Sequence, residues 1–218
     1  MNNGSDAPPA YSAPVNPTAA QGTDSQYAFL SHFDTVFLID DSGSMSDAKW
    51  RETSAALSAI APICTANDSD GIDLHFLNTR TSHTNVTSTD GVQRIFETVR
   101  SGAGTPTGMR LHQILRPYLA KLFLVVEQGK SPEDVKPLNI IVITDGEAGD
   151  DVETPIKICA EKLDKLDAIG WQVGIQFFQA GKDEDATKTL RELDDGLEER
   201  GVRNIVDTVP WTSGIGRG

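Results

Sequence analysis

Basic residues are scarce in this chain of 218 residues, which carries 19 Lys and Arg against 32 Asp and Glu. The formal net charge is −13. Nucleic acids and anionic membrane surfaces are polyanions, so an acidic protein surface repels them and they are poor candidates for partners. The acidic surface is compatible with a cation site, and solubility alone explains it equally well.

Long apolar runs are also missing, and cysteine occurs only twice. No segment approaches the roughly 20 apolar residues that a membrane-spanning helix requires. Residues 1–20 have neither the basic start nor the apolar stretch of a secretory signal. Cys64 and Cys159 fall on apolar helical faces, which favours buried free thiols in a reducing compartment. The alternative is a disulfide between them, which requires suitable geometry. We therefore expect a cytoplasmic protein that does not cross or bind a membrane.

The composition divides the chain into a tail, a domain and a short ending. Residues 1–26 contain no Lys or Arg and much Pro, Ala, Ser, Asn and Gln, so they cannot bury enough surface to fold, and we predict a disordered tail. Residues 27–209 are long enough for one domain with a full core. Residues 210–218 are predicted to form a short, glycine-rich tail.

The N-terminal tail contains one recognisable short motif. Pro8, Pro9 and Tyr11 stand in the order Pro-Pro-x-Tyr, which WW domains bind as an extended polyproline segment. The motif predicts a partner with a WW domain, such as a ubiquitin ligase that carries one. The alternative is that the tail acts only as a solubilising spacer.

Strand and helix patterns alternate along the domain. Strands are predicted over residues 35–40, 72–76, 82–87, 139–144, 171–178 and 205–209. Apolar residues at helical spacing predict helices between them, over residues 50–64, 89–100, 107–122, 152–166 and 186–197. The buried stripe of the first helix is predicted to contain Trp50, Thr53, Leu57, Ile60 and Cys64. This alternation predicts an α/β fold with a doubly wound, mostly parallel sheet and helices on both faces.

Oxygen-bearing side chains follow two of the predicted strands and fill one loop. Asp40, Ser42 and Ser44 come directly after the apolar run 36–39, and Asp145 follows the apolar run 140–144. Thr105 lies between these segments, in the glycine-rich turn 102–108. Carboxylate and hydroxyl oxygens are hard ligands that small divalent cations prefer. Ligands bind beyond the carboxyl ends of the strands in such sheets, so we predict a metal site built from these distant segments.

This ordered set of residues resembles the metal-ion-dependent adhesion site of von Willebrand factor type A domains. That site uses Asp-x-Ser-x-Ser, a later Thr and an Asp-Gly after a central strand, which correspond here to Asp40, Ser42, Ser44, Thr105 and Asp145. The resemblance covers roughly residues 33–209. It is closest to intracellular fungal domains of this type, through the segments 33–45 and 171–178.

The resemblance implies a Rossmann-like fold and a non-catalytic role in binding other proteins. It implies that Ser42 and Ser44 bind Mg²⁺ or Mn²⁺ directly, that Thr105 binds directly or through water, and that Asp40 and Asp145 act through water. An open coordination position would then accept an Asp or Glu of a protein partner. A type A domain normally adds one more helix after its last strand, and we expect that helix to be missing here.

Two other interpretations of these residues stay open. Ser42 and Ser44 could simply cap the following helix, as serines often do. Alternatively, Asp40 could be the nucleophile of a Mg²⁺-dependent phosphatase of the haloacid-dehalogenase type, although Ser42 stands where such an enzyme has its second acid. Asp41 is expected to point away from the metal. The acidic residues Glu147, Asp150 and Asp151 follow Asp145 and could tune the rim of the site, but we interpret them as a solvated acidic loop.

Overall fold

The structure, a computed structural model, describes residues 31–45, 47–67, 70–146, 148–181 and 183–209. The predicted tail over residues 1–26, with its Pro8-Pro9-Ala10-Tyr11 motif, lies outside these residues. The predicted short ending over residues 210–218 also lies outside them. All statements below refer to the part of the chain that is described.

One six-stranded sheet forms the centre of the domain. Its strands are β1 (Asp34–Ile39), β2 (Ile72–Phe76), β3 (His83–Val86), β4 (Leu138–Thr144), β5 (Val173–Gln179) and β6 (Val206–Val209). They lie in the order β3-β2-β1-β4-β5-β6, and every neighbouring pair is parallel except β2 and β3. The predicted fold class, α/β with a mostly parallel sheet, is therefore confirmed.

Five α-helices cover the two faces of the sheet: α1 (Asp47–Asn67), α2 (Thr89–Thr98), α3 (Thr107–Glu127), α4 (Glu153–Lys165) and α5 (Glu184–Glu199). A 3₁₀ turn, Pro132–Asp134, lies directly before β4. Within the described ranges, no helix is both long and apolar enough to cross a membrane.

Side chains alternate across each strand, so the sheet separates two apolar cores. On one face, Phe37 and Ile39 of β1 pack with the buried side of α1 and α2. On the other face, Val36 and Leu38 pack with α3, α4 and α5, in the larger core. Strand β1 is buried from both sides, and β4 is buried on the α3 side and half-buried on the α1 side at Ile141 and Ile143. This two-sided packing explains why both strands are continuous apolar runs in the sequence.

The two cysteines lie in different cores. Cys64 of α1 belongs to the core on the α1 side, and Cys159 of α4 belongs to the core on the α3 side. Both are buried free thiols. Because the sheet lies between them, a disulfide between Cys64 and Cys159 cannot form, and the prediction that both are buried free thiols is confirmed.

Two details of the sequence prediction were wrong. The strand predicted from Trp171 begins instead at Val173, and the exposed Trp171 ring packs against Phe33 before the strand starts. In α1 the buried stripe passes through Ala61, while Ile60 is exposed on the helix flank. Both errors arise because hydrophobicity alone does not distinguish a core position from a neighbouring position at the edge of the core.

Candidate metal site

The candidate site lies where the winding of the sheet reverses. The chain leaves β1 toward β2 and leaves β4 toward β5, so the connections that follow β1 and β4 run in opposite directions, and ligands bind at such a switch point in sheets of this kind. Asp40 follows β1 and Asp145 follows β4. The backbone N–H of Asp40 donates to the carbonyl of Ile143 at 2.8 Å, which holds the two loops side by side.

Asp40 fixes the loop that carries the two serines. Its side chain is 0% exposed, and both of its oxygens accept hydrogen bonds. Oδ1 accepts from the backbone N–H of Ser42 at 2.8 Å, and Oδ2 accepts from the hydroxyl of Thr144 at 2.8 Å. Hydrogen bonds to a charged acceptor are stronger than neutral ones, so Asp40 joins the ends of β1 and β4 firmly.

A chain of hydroxyl groups leads from the first loop to Asp145. The Ser44 hydroxyl donates to Asp145 Oδ1 at 2.9 Å, and the Ser42 and Ser44 oxygens are 2.9 Å apart. Ser44 gives its one proton to the carboxylate, so Ser42 must be the donor between the two serines. Ser44 and Asp145 are 101 positions apart in the sequence, so Ser44 takes part in a long-range contact and not only in a local cap.

A lysine provides the positive charge at this cluster. Lys49, in the first turn of α1, places its Nζ 2.6 Å from Asp145 Oδ2. The Asp145 side chain is 2% exposed, whereas that of Lys49 is 33% exposed. A buried carboxylate without a countercharge is strongly destabilising. Lys49 therefore compensates the charge of Asp145 within the protein.

Thr105 lies in the loop beside the cluster. This loop is held against the serine loop by a bond from the Gly102 N–H to the Asp41 carbonyl at 2.8 Å and by a parallel bridge between Ser42 and Gly102. The carbonyl of Thr105 accepts from the N–H of Gly149 at 2.8 Å, in the loop that follows Asp145. The structure thus joins Asp40, Ser42, Ser44 and Asp145 directly and places Thr105 in the adjoining loop.

Asp41 supports the Thr105 loop from the side opposite the cluster. Its carboxylate, 2% exposed, accepts from the backbone N–H and the side-chain amide of Asn78 and from the backbone N–H and hydroxyl of Thr79, at 2.7–3.0 Å. The Asn78 amide also donates to the carbonyl of Gly104 at 3.1 Å. Asp41 thus binds residues away from the cluster, and it anchors the loop that carries Thr105.

Asp150 and Asp151 are structural groups and not merely solvated charges. Asp150 accepts from the N–H groups of Gly108 and Met109 at 2.8 Å, which caps the start of α3. Asp151 accepts from the N–H and hydroxyl of Thr154 in the first turn of α4, and these bonds lower the pKa of Asp151. Both residues are exposed, as the predicted solvated loop requires, and in addition each carboxylate binds a free helix N-terminus. Glu147 lies outside the described residues.

The donor set of the cluster fits a small, hard divalent cation. Its oxygens are the hydroxyls of Ser42 and Ser44 and the carboxylates of Asp40 and Asp145. The positively charged Lys49 ammonium already contacts Asp145. In the described part of the chain, no group of three or more His, Cys, Asp or Glu side chains is arranged to hold a metal.

Sequence analysis missed two residues of this region. Lys49 is the first basic residue of the chain and stands five positions after Ser44, which was the available signal. Asn78, which links Asp41 to the Thr105 loop, carries no signal in the sequence. Its position depends on how the loop after β2 folds back.

Comparison with known proteins identifies the fold family. The profile of the von Willebrand factor type A domain matches residues 34–208. No curated protein matches the chain. Among solved structures, the crystal structure of the SpRpn10 VWA domain aligns at 12% identity with a TM-score of 0.47, covering 84% of this chain and 90% of that chain.

Proposed function

The chain belongs to the von Willebrand factor type A family, and from this premise we propose that it is a non-catalytic protein-interaction module that depends on Mg²⁺ or Mn²⁺. The observation that carries the proposal is the cluster at the β1–β4 switch point. There Ser44 joins Ser42 to a buried carboxylate, Asp145, which already holds a cation, Lys49.

In this proposal the cation is held by Ser42, Ser44 and Thr105, with Asp40 and Asp145 orienting the shell. The bound cation supplies an electrophilic position that a carboxylate of a protein partner can occupy. The chain's own contribution is preorganisation, because Asp40 and Asp41 fix the two loops that carry the hydroxyls. Preorganised sites lose less conformational entropy on binding.

The phosphatase alternative is disfavoured by the environment of Asp40. A nucleophilic carboxylate needs an oxygen that can reach a substrate phosphorus. Asp40 is fully buried and both of its oxygens accept hydrogen bonds, from Ser42 and Thr144. The residue is suited to holding loops together and not to attacking a substrate.

We also propose a cytoplasmic setting. Burial raises the pKa of the Cys159 thiol to about 12, so this thiol stays protonated and inert. Free buried cysteines are typical of proteins in reducing compartments.

The metal claim is tested by isothermal titration of Mg²⁺ and Mn²⁺ into the wild-type chain and into the variants Ser44→Ala and Asp145→Ala. Ser44 is exposed, so its replacement leaves the core intact. We expect the wild type to bind and both variants to lose at least about tenfold in affinity. Asp195→Ala, which removes an exposed carboxylate on α5, is the matched control and keeps wild-type affinity.

No binding by the wild type, or equal binding by the wild type and both variants, contradicts the proposed metal site. The interaction claim is tested separately. Proteins captured in Mg²⁺ should be lost in chelator, and Ser44→Ala should capture them poorly even in Mg²⁺. Capture that is indifferent to both changes means that partners bind elsewhere on the domain.

A further inference from the structure

We propose that Lys49 competes with the divalent cation for the site. The lysine neutralises Asp145 when no cation is bound, and it must be displaced when the cation binds. This inference rests on the proposed function, because it concerns the same site. It assigns to a residue outside the oxygen cluster the role of setting the cation affinity.

The first argument is the atom that Lys49 occupies. Its Nζ lies 2.6 Å from Asp145 Oδ2, while the other oxygen of the same carboxylate accepts from Ser44. Both oxygens of Asp145 are therefore in use. A divalent cation held by the serines beside this carboxylate must either displace Lys49 or bind close to a like charge, and both cost binding free energy.

The second argument is that the position of Lys49 is prepared by the surrounding fold. The loop after β5 passes close to the lysine at Gly181, where an added Cβ would lie 3.0 Å from Lys49 Cε and 3.7 Å from Nζ. Gly181 also has a φ of +91°, which favours glycine. The lysine stem thus runs between α1 and this loop, instead of extending freely into solvent.

The third argument is the negative charge of the two carboxylates at the site. Asp40 and Asp145 are both buried at the ends of adjacent strands. Hydrogen bonds from Ser42 and Thr144 satisfy Asp40, whereas Asp145 accepts from the Ser44 hydroxyl and from the Lys49 ammonium, so the lysine balances its charge. Lys49 is partly exposed, so it can leave Asp145 for solvent at a moderate cost once a cation takes over its role.

The test compares Lys49→Met with the wild type, by titration calorimetry with Mn²⁺ and by thermal unfolding in chelator. Methionine keeps an unbranched side chain and removes the charge. We expect Lys49→Met to bind Mn²⁺ about tenfold more tightly, because no internal cation competes. In chelator we expect it to unfold at a lower temperature than the wild type, because Asp145 is left buried without a countercharge.

Lys188→Met is the matched control. The Lys188 side chain is 74% exposed on α5 and pairs with Glu192. Its replacement by Met changes the net charge by the same amount as Lys49→Met and leaves the metal site unaltered. It should leave the Mn²⁺ affinity unchanged. If Lys49→Met does not fold, Lys49→Gln, which can still donate a hydrogen bond to Asp145, replaces it in the same two measurements.

The outcomes separate this inference from the proposed function. If the wild type binds Mn²⁺ and Lys49→Met binds it equally or more weakly, the inference about Lys49 is refuted and the proposed metal site is retained. If only Lys49→Met binds, the lysine blocks the site completely and the metal dependence of the wild type is refuted. If neither binds, both ideas fail. An affinity gain matched by Lys188→Met would show a general charge effect and overturn the inference.

Discussion

Asp41 gives the sharpest test of how the site is assembled. Its buried carboxylate accepts four hydrogen bonds, two from Asn78 on Oδ1 and two from Thr79 on Oδ2. The replacement Asp41→Asn keeps the shape of the side chain but turns one acceptor oxygen into an NH₂ donor. Two of the four donors must then face another donor.

The size of the effect follows from that mismatch. With the amide oxygen toward Asn78, the Thr79 hydroxyl can rotate and accept, but the Thr79 backbone N–H cannot. A buried donor without a partner costs about 1–3 kcal/mol, and the remaining bonds lose their charge assistance, so we expect a total loss of about 2–4 kcal/mol. For a domain of this size that corresponds to a decrease in Tm of about 4–16 °C.

The measurement is urea-induced unfolding of the wild type, Asp41→Asn and the exposed control Asp195→Asn, all in chelator so that no cation contributes. Asp195→Asn should stay within about 0.5 kcal/mol of the wild type, as surface substitutions usually do. A loss that small for Asp41→Asn would refute the reasoning, since it would mean that water satisfies the donors around Asp41. Mn²⁺ affinity should also fall in Asp41→Asn, because the loop that carries Thr105 is tied to Asp41 through Gly102 and Asn78.

Two further predictions concern packing and pH. A Cβ on Gly108 would lie 2.0 Å from the carbonyl oxygen of Asp151. We therefore expect Gly108→Ala to lower the free energy of unfolding in urea by about 1–3 kcal/mol or more. The control is Gly170→Ala, because a Cβ on Gly170 meets no atom within 4 Å. Burial lowers the pKa of His75 below 6.5, so the unfolded state takes up the proton more readily and stability decreases as the pH falls below about 6.5. His75→Gln should flatten the profile of unfolding free energy against pH between pH 7 and 5. An unchanged slope in His75→Gln would contradict this assignment.

The elements of the fold were predictable because their patterns are local. The apolar runs of β1 and β4 and the helical stripe of α4 each depend on residues within one element, so the sequence alone locates them. Their exact ends depend on neighbours. Trp171 looks like the start of a strand, but its ring finds Phe33 and stays outside the sheet.

The candidate site was predictable in part, because two of its segments carry compact signals. Asp40, Ser42 and Ser44 stand within five residues, and Asp145 follows an apolar run, so the sequence identified them as oxygen donors at strand ends. The roles of Asp150 and Asp151 were not predictable. An acidic residue in a loop looks the same whether it is solvated or binds the N-terminus of a helix that begins more than forty positions away, as Asp150 does at Gly108.

The sequence by itself determined the alternation of strands and helices, the family, and which side chains carry oxygen ligands at the ends of β1 and β4. Only the tertiary structure decided that Lys49 neutralises Asp145, that Asp41 anchors a loop, and that the sheet separates the two cysteines. The physical reason is the separation of the partners along the chain. Lys49 and Asp145 are 96 positions apart, and Asp40 and Thr144 are 104 apart. Such contacts arise from strand order and loop packing, which no local periodicity encodes.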